Sequence, residues 1–491
     1  MVQAVPDLTT GLTDPFDLIG FLLPWFGIWE SQERDRGMEA LDRILKDASD
    51  FAWGPPMLAL LLGTHIYLTI RLRFIQIYTG KAIRLSLERS KEGQGDISQF
   101  GALTTALAAT IGTGNIVGVA TAVAAGGPGA VLWLWLTGVF GIATKYAEAV
   151  LSVKYRITTK SGAMAGGPMY VLERGMHCRW LGLVFALFTT IAAFGIGNMV
   201  QANSVAAMVR ETFGVPQWIT GVIITVLTAL VILGGIKSIA AWCERLVPFM
   251  AIFFVIGAII LLVMRYETIP ETLRLIVSGA FTGQAAVGGF LGTTVREAAR
   301  YGIARGLFSN ESGLGSAPIV AAAAQTKNPV RQALVSSTGT FWDTVVVCAL
   351  TGLVIVNSGE WMKGHNGAAL TKAAFEGMSW VGPIVLSVSL LTFVFSTILG
   401  WSYYGEKTTE YLFGPGAVKP YRWLWVAAVM VGSLSTLRAV WSFADVANAL
   451  MVIPNVISLL VLTNVVVLET RKYLWQGDIN APEIPSAPAQ T

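Results

Sequence analysis

Apolar stretches long enough to cross a membrane recur along most of the 491-residue chain, and they leave few folds open. Eleven can be marked, at about 52–72, 97–125, 129–155, 180–210, 217–234, 239–265, 293–325, 331–357, 380–412, 420–437 and 441–469. A spanning helix needs about 20 mostly apolar residues, and in lipid a helix satisfies its own backbone. The expected fold class is therefore an all-α polytopic membrane protein. Charge agrees: 13% of residues are charged, against roughly 25% in a soluble domain. Two further regions read as helices at a membrane surface: 267–292, interrupted by Gly279, Gly283, Gly288 and Gly289, and 358–379.

Basic loops set the orientation. The loop after the first span carries Arg71, Arg73, Lys81, Arg84, Arg89 and Lys91, which the positive-inside rule puts in the cytoplasm. Alternation brings Lys154, Arg156, Lys160, Arg174 and Arg179 to the same side. Lys237, Lys327, Arg331, Lys407, Lys419, Arg422, Arg471 and Lys472 follow them. The N-terminus is then outside and the C-terminus inside. Arg296, Arg300 and Arg305 fall in the outer half of span seven. They are expected to face protein, paired with acids such as Glu297 or Glu311. Ahead of the first span, Phe16 to Trp29 contains Pro24 and no Lys or Arg precedes it. It lacks the basic region of a signal peptide and reads as an interfacial or re-entrant helix. Residues Glu30 to Asp50 read as a charged surface helix.

Span two makes a poor unbroken helix. Ala109-Thr110-Ile111-Gly112-Thr113-Gly114-Asn115-Ile116 puts two glycines, a threonine and an asparagine at membrane depth. Each glycine costs about 1 kcal/mol against Ala. A broken helix there must face protein or a water-filled cavity, and such breaks hold ligands and coupling ions in transporters. Gly114-x-x-x-Gly118 also fits a close helix contact, so the stretch alone admits both readings. A second interruption favours the first. Gly313 and Gly315 in span seven, and Pro329 after them, each lie 201 residues beyond Gly112, Gly114 and Pro128 (313 − 112, 315 − 114, 329 − 128). Span two runs outward and span seven inward. Matching breaks in two oppositely inserted halves point to a secondary-transporter site.

Other chemistry is poorly represented. The net charge of +4 is small and its basic residues sit in loops, which argues for membrane orientation rather than nucleic-acid binding. Cys178, Cys243 and Cys348 form no CxxC, and His65, His177 and His365 have no metal-ligand spacing. Neither a disulfide framework, a metal site nor a cofactor is expected. Without HExxH, GxSxG with triad partners or a phosphate loop, a membrane-embedded enzyme is a remote alternative. No short filter loop suggests a channel.

Gly126-Gly127-Pro128-Gly129-Ala130-Val131-Leu132-Trp133-Leu134-Trp135 closely resembles the signature of the alanine or glycine:cation symporter family. Leu132 and Leu134 stand where Phe and Met are expected. Phe308-Ser309-Asn310-Glu311-Ser312-Gly313-Leu314-Gly315-Ser316 and Val200-Gln201-Ala202-Asn203 resemble further family blocks, and the resemblance covers about residues 50–470. It implies a LeuT-type fold. Ten core helices form two inverted five-helix repeats, spans two to six and seven to eleven, preceded by one extra helix. The expected units are an N-terminal extension (1–50), the first span with its basic loop (51–96), the two repeats (97–266 and 267–470) and a cytoplasmic tail (471–491). The resemblance also implies sodium-driven import of alanine or glycine by alternating access, with Na+ as the coupling ion, in the lipid of the cell membrane. A proton-coupled carrier, or one for another small solute, is the alternative on the same fold.

A small zwitterion needs donors for its carboxylate and acceptors for its ammonium. The N–H groups of Thr113, Gly114 and Asn115, at the start of the outer half-helix, are expected to take the carboxylate. Carbonyls near Thr110 and Ile111 accept from the ammonium or hold a cation, and Gly112 allows close backbone approach. Asn310, Ser312 and Gly313 are the expected contribution of the second break. Gln201 reads as a ligand or as an interhelical hydrogen bond. Ser396 and Thr397 lie on the helix where the LeuT-type fold keeps a hydroxyl pair. With the carbonyls of Ala108 and Ile111, and with Asn115, they form the implied cation site, or else back-bond to their own helix. Trp401, a turn further on, reads as a wall limiting side-chain size or as an ordinary core Trp. Asp343, at mid-depth in span eight, is an intramembrane acid with three open roles: binding a cation or proton, holding a network, or pairing with Arg305. Lys145 and Glu148 are expected to pair with each other or to snorkel.

Overall fold

The computed structural model of the protein describes residues 43–44, 47–88, 93–159, 162–283, 292–435 and 438–482. The helix expected at Phe16 to Trp29, the glycines Gly288 and Gly289, and residues 483–491 lie outside them.

Each expected span contains helix. After α1 (Pro55–Arg71) comes a surface helix, α2 (Thr79–Leu87). Span two is split into α3 (Gln99–Thr110) and α4 (Val119–Gly126), and α5 (Ala130–Lys154) follows. Span four is α6 (Arg179–Phe194) and α7 (Val200–Phe213), joined by a π turn at Gly195–Met199. Then come α8 (Gln217–Ile232), α9 (Gly235–Met264) and α10 (Ile269–Thr282). Span seven is α11 (Val295–Asn310) and the short α12 (Pro318–Ala321). Span eight is α13 (Pro329–Thr340) and α14 (Ala349–Ser358), joined by a π turn at Phe341–Cys348. The chain ends with α15 (Gly367–Met378), α16 (Gly382–Phe413), α17 (Val418–Leu434), α18 (Arg438–Val461) and α19 (Thr463–Thr470). Among the described residues, seven helices are long and apolar enough to cross a membrane. The α3–α4 pair, bent by 54°, makes an eighth, and α8 is a shorter apolar helix.

Local chemistry sets where these helices begin. Ser98 Oγ accepts the Gly101 N–H (2.8 Å) at the head of α3. Thr294 and Glu297 form a reciprocal capping box on α11. Asn328 Oδ1 accepts the Arg331 N–H (2.9 Å), with Pro329 in the first turn of α13. These are the residues that satisfy a first turn's orphan donors or need none. Helices α8 and α9 leave Val222, Ile223, Leu230, Phe249, Ile252 and Ile256 exposed. An apolar outer face of this kind suits lipid rather than water.

Helix α5 packs against α11 and α13, α16 packs against α3 and α6, and α18 packs against α6. The two broken spans are therefore enclosed by intact helices. The expected surface helix at 358–379 is α15, whose Leu370, Ala374 and Phe375 are buried toward α14 and α16. Helix α10 occupies the expected excursion and packs on α5 and α11. The π turns at Gly195–Met199 and Phe341–Cys348, and the interruption at Leu462 between α18 and α19, go beyond the sequence expectation.

Candidate functional site

The first break is short. Ile111 turns extended (φ −77°, ψ 97°), and only Ile111 and Gly112 leave the helical path before Thr113 and a π turn at Gly114–Gly118 resume it. The Gly112 N–H donates to Asn115 Oδ1 (2.9 Å), and the Asn115 N–H donates to the Gly112 carbonyl (3.2 Å). A Cβ on Gly112 would stand 2.6 Å from Thr397 Oγ1, so this approach requires glycine. Thr397 Oγ1 lies 3.3 Å from the Ile111 carbonyl, and Ser396 Oγ lies 3.3 Å from that of Ala108. Each hydroxyl also donates to its own helix at Phe393 O, at 2.9 and 2.8 Å. A hydroxyl has one hydrogen. The shorter back-bond takes it, and each hydroxyl oxygen is left facing one carbonyl at the end of α3.

Asn115 points elsewhere. Its Nδ2 donates to Asp343 Oδ1 (2.6 Å). The other carboxylate oxygen accepts from Ser309 (3.0 Å) and Thr344 (2.7 Å). Asp343 lies in the π turn of span eight and is fully buried. One carboxylate thus ties Asn115 of the first broken span to Ser309 of the second. Of the three expected roles, the network is observed. The Arg305 pairing is not, because Arg305 lies over the Phe308 ring, 6.0 Å from its centroid. The acids expected to pair with the span-seven arginines are also engaged elsewhere. Glu297 caps α11, and Glu311 accepts from Ser316 (2.6 Å).

The second break is longer and left-handed. Residues 311–317 leave the helix, with φ of 55° at Glu311, 89° at Gly313 and 86° at Gly315. Glu148 Oε1 accepts from the Gly313 N–H (3.0 Å), the Gly315 N–H (3.1 Å) and Asn455 Nδ2 (2.7 Å). Asn455 also donates to the Gly313 carbonyl (2.9 Å). The Ser312 N–H is held by Asn310 Oδ1 (2.9 Å), and its hydroxyl meets that of Thr340 (3.1 Å). Ser312 and Gly313, expected as part of the second break's contribution to the substrate site, have these groups committed within the protein. Asn310 Nδ2 remains buried without a partner. Lys145 and Glu148 neither pair nor snorkel. Both are buried, and the Glu148 carboxylate is bound by the N–H groups of the break instead of directly by its neighbour.

Gln201 donates from Nε2 to Ile196 O in its own π turn (3.0 Å), so the interhelical bond is not made. Its Oε1 is buried without a partner, 3.7 Å from where a Cβ on Gly112 would lie. Trp401 packs on Gly197, whose Cβ would stand 2.3 Å from that of Trp401, and meets Tyr404 edge-on. The Thr110 hydroxyl back-bonds to Ala106 O (3.2 Å). A cavity of about 380 Å³ opens over the first break, lined by Thr113, Gly114, Asn203, Arg305, Phe308 and Lys372 among others. Gln201, Ser396, Thr397 and Trp401 lie outside that lining. Ser309, Thr344 and Asn455 have no role that sequence alone suggests. The Pro454-Asn455 pair, in an otherwise apolar run, is the available signal for Asn455.

The model of the sodium:alanine symporter family matches residues 38–484. The chain belongs to the sodium:alanine symporter family. It is 50% identical over 441 residues to the sodium/alanine symporter AgcS of Methanococcus maripaludis, covering 88% of this chain and 96% of that protein. It is also 50% identical over 445 residues to an uncharacterized transporter of Haemophilus influenzae, covering 90% of this chain and 98% of that protein. Its fold resembles that of MhsT, solved in complex with L-phenylalanine. The TM-score is 0.55 at 14% identity, covering 79% of this chain and 95% of the other. The architecture is of the LeuT type. As a family member, the chain is a multi-pass membrane transporter of a sodium-coupled family. The expected family and fold class are borne out.

Proposed function

We propose that this chain imports alanine or glycine across the cell membrane by sodium symport and alternating access. One observation carries the reading. The hydroxyls of Ser396 and Thr397 meet the carbonyls of Ala108 and Ile111 at 3.3 Å each, beside a two-residue helix break. Unwound carbonyls are the groups that coordinate Na+ in transporters built this way. The Thr113 and Gly114 N–H groups, on the cavity, take the substrate carboxylate at a half-helix N-terminus. The unpaired Gln201 Oε1 and the carbonyls around Thr110 accept from the ammonium, Asn310 Nδ2 adds a donor, and Trp401 bounds the side chain. The glycine pairs 201 residues apart support residues 97–266 and 267–470 as inverted repeats, and the basic loops support an outside N-terminus and an inside C-terminus.

Asp343 favours a second reading. A buried carboxylate reaching both broken spans offers a place for a proton or a further cation. Purified protein in liposomes is expected to accumulate labelled alanine under an inward sodium gradient, with glycine competing. Uptake unchanged when choline replaces sodium sinks the sodium claim. Equal uptake under a proton gradient alone moves the coupling to Asp343.

A further inference from the structure

We propose that the second break is an anion site that the protein fills with its own Glu148 carboxylate, with Lys145 as counter-charge, so that the first break alone receives the substrate's carboxylate. This deepens the symport reading and rests on it for the role of the first break.

Two N–H groups from one turn, Gly313 and Gly315, converge on a single oxygen at 3.0 and 3.1 Å. Both residues have positive φ, and successive N–H groups presented by such a turn form a concave nest for an anion. Asn455 Nδ2 completes the donor set at 2.7 Å. The geometry is that of a bound carboxylate, and the carboxylate comes from α5. A second observation points the same way. The Lys145 side chain is 4% exposed, and its ammonium has no hydrogen-bond partner. A buried cation without a direct partner is costly unless anions lie close by, and Glu148, one helical turn away on the same helix, is one of them. Glu148 Oε2 is itself buried and unpartnered, and so is His65 Nε2, whose ring lies beside Gly313. At the first break the Gly112 N–H goes to the Asn115 amide oxygen, and the nearby Asp343 carboxylate binds the Asn115 side chain rather than the backbone. The residues facing that break, Ser396, Thr397 and Gln201, are neutral. A zwitterion therefore meets, at the first break, a half-helix N-terminus with no carboxylate of the protein bonded to its backbone among the described residues, and at the second an occupied nest. This fixes which way round it binds.

The test uses the full-length protein in liposomes and in detergent. Glu148→Gln keeps an acceptor oxygen of the same size and removes the charge. Alanine uptake is expected to fall at least tenfold, while a purely steric role predicts uptake near wild type. Glu148→Ala empties the nest. Added formate, a carboxylate without a stem, is expected to raise its unfolding temperature in a saturable way and to restore part of its uptake. Formate should leave the wild type unchanged, because binding to the folded state alone is what stabilises. Wild-type uptake in Glu148→Gln overturns the proposal, as does a Glu148→Ala protein whose unfolding temperature ignores both formate and chloride. If Glu148→Ala does not fold, the uptake of Glu148→Gln decides the matter alone. The unfolding measurement needs no substrate. A wild type that fails to transport alanine therefore refutes the symport reading without touching the formate result.

Discussion

The two breaks share their glycine spacing and little else. The first opens over two residues, and neither Gly112 nor Gly114 has a positive φ. The second opens over residues 311–317 and bends through three left-handed positions. Opposite the first stand two hydroxyls and an unpaired amide oxygen. Opposite the second stand a carboxylate and an asparagine that bind the exposed backbone. Glycine spacing marks where a helix opens. The side chains on the facing helices decide whether the opening serves a ligand or the protein itself. One break is left available, and the other is held as scaffold.

That contrast is broken most directly at the glycines. In Gly112→Ala the new methyl would lie 2.6 Å from Thr397 Oγ1, the hydroxyl that meets the Ile111 carbonyl. Sodium-driven uptake is expected to fall on the order of 100-fold, about 2.7 kcal/mol in the transport barrier, with the unfolding temperature little changed. In Gly315→Ala the methyl meets Pro168 Cγ at 2.7 Å, on a backbone of φ 86°. Strain of that kind costs on the order of 1–3 kcal/mol and is expected as a lower unfolding temperature and a smaller folded yield. The reverse pattern, with the first glycine stabilising the fold and the second serving only transport, would falsify the division of labour.

The hydroxyl pair sharpens the functional side. Ser396→Ala combined with Thr397→Ala removes both hydroxyls that face the Ala108 and Ile111 carbonyls, and two back-bonds to Phe393 O. Hydrogen bonds inside membrane bundles average about 0.6 kcal/mol, so the fold should tolerate the change. The sodium concentration for half-maximal uptake is expected to rise about tenfold, equivalent to about 1.4 kcal/mol. An unchanged sodium dependence would remove these two residues from the coupling site and leave them as back-bonded helix residues.

Much of this was legible in the sequence. Span positions follow from apolar length, because lipid leaves a helix few alternatives. The glycine pair in span two and its counterpart 201 residues later located both openings. Ser396 and Thr397 do meet the carbonyls of Ala108 and Ile111. What was not legible is how each polar group is satisfied. Glu148 sits three residues from Lys145, and local spacing pairs them. The fold instead carries Glu148 to a backbone 165 residues away. The same holds for Asn115, which reads as a ligand and is held by Asp343, 228 residues distant. The π turns at Gly195–Met199 and Phe341–Cys348 arise from tertiary contact. Gly197 permits Trp401 to approach, and no local pattern announces that.

The smallest expected effect tests whether the second break reaches the substrate at all. Trp401 touches both sides of the question. It fills the space over Gly197 in the π turn that leads to Gln201, and it lies near Glu311 at the start of the second break. Trp401→Phe keeps a ring and loses the indole N–H, whereas Trp401→Ala loses both. If the indole bounds the pocket, Trp401→Ala should improve inhibition of alanine uptake by larger neutral amino acids a few-fold, and Trp401→Phe should not. A methylene group in an apolar pocket discriminates by only about 1–3 kcal/mol, and a site that relaxes around the gap gives back part of that. If both variants lower the unfolding temperature and neither widens the substrate range, Trp401 belongs to the scaffold with Glu311 and Glu148. The pocket wall must then be sought among the residues lining the cavity over Thr113 and Gly114, with Phe308, whose ring lies 3.5 Å from where a Cβ on Gly114 would stand, as the first candidate.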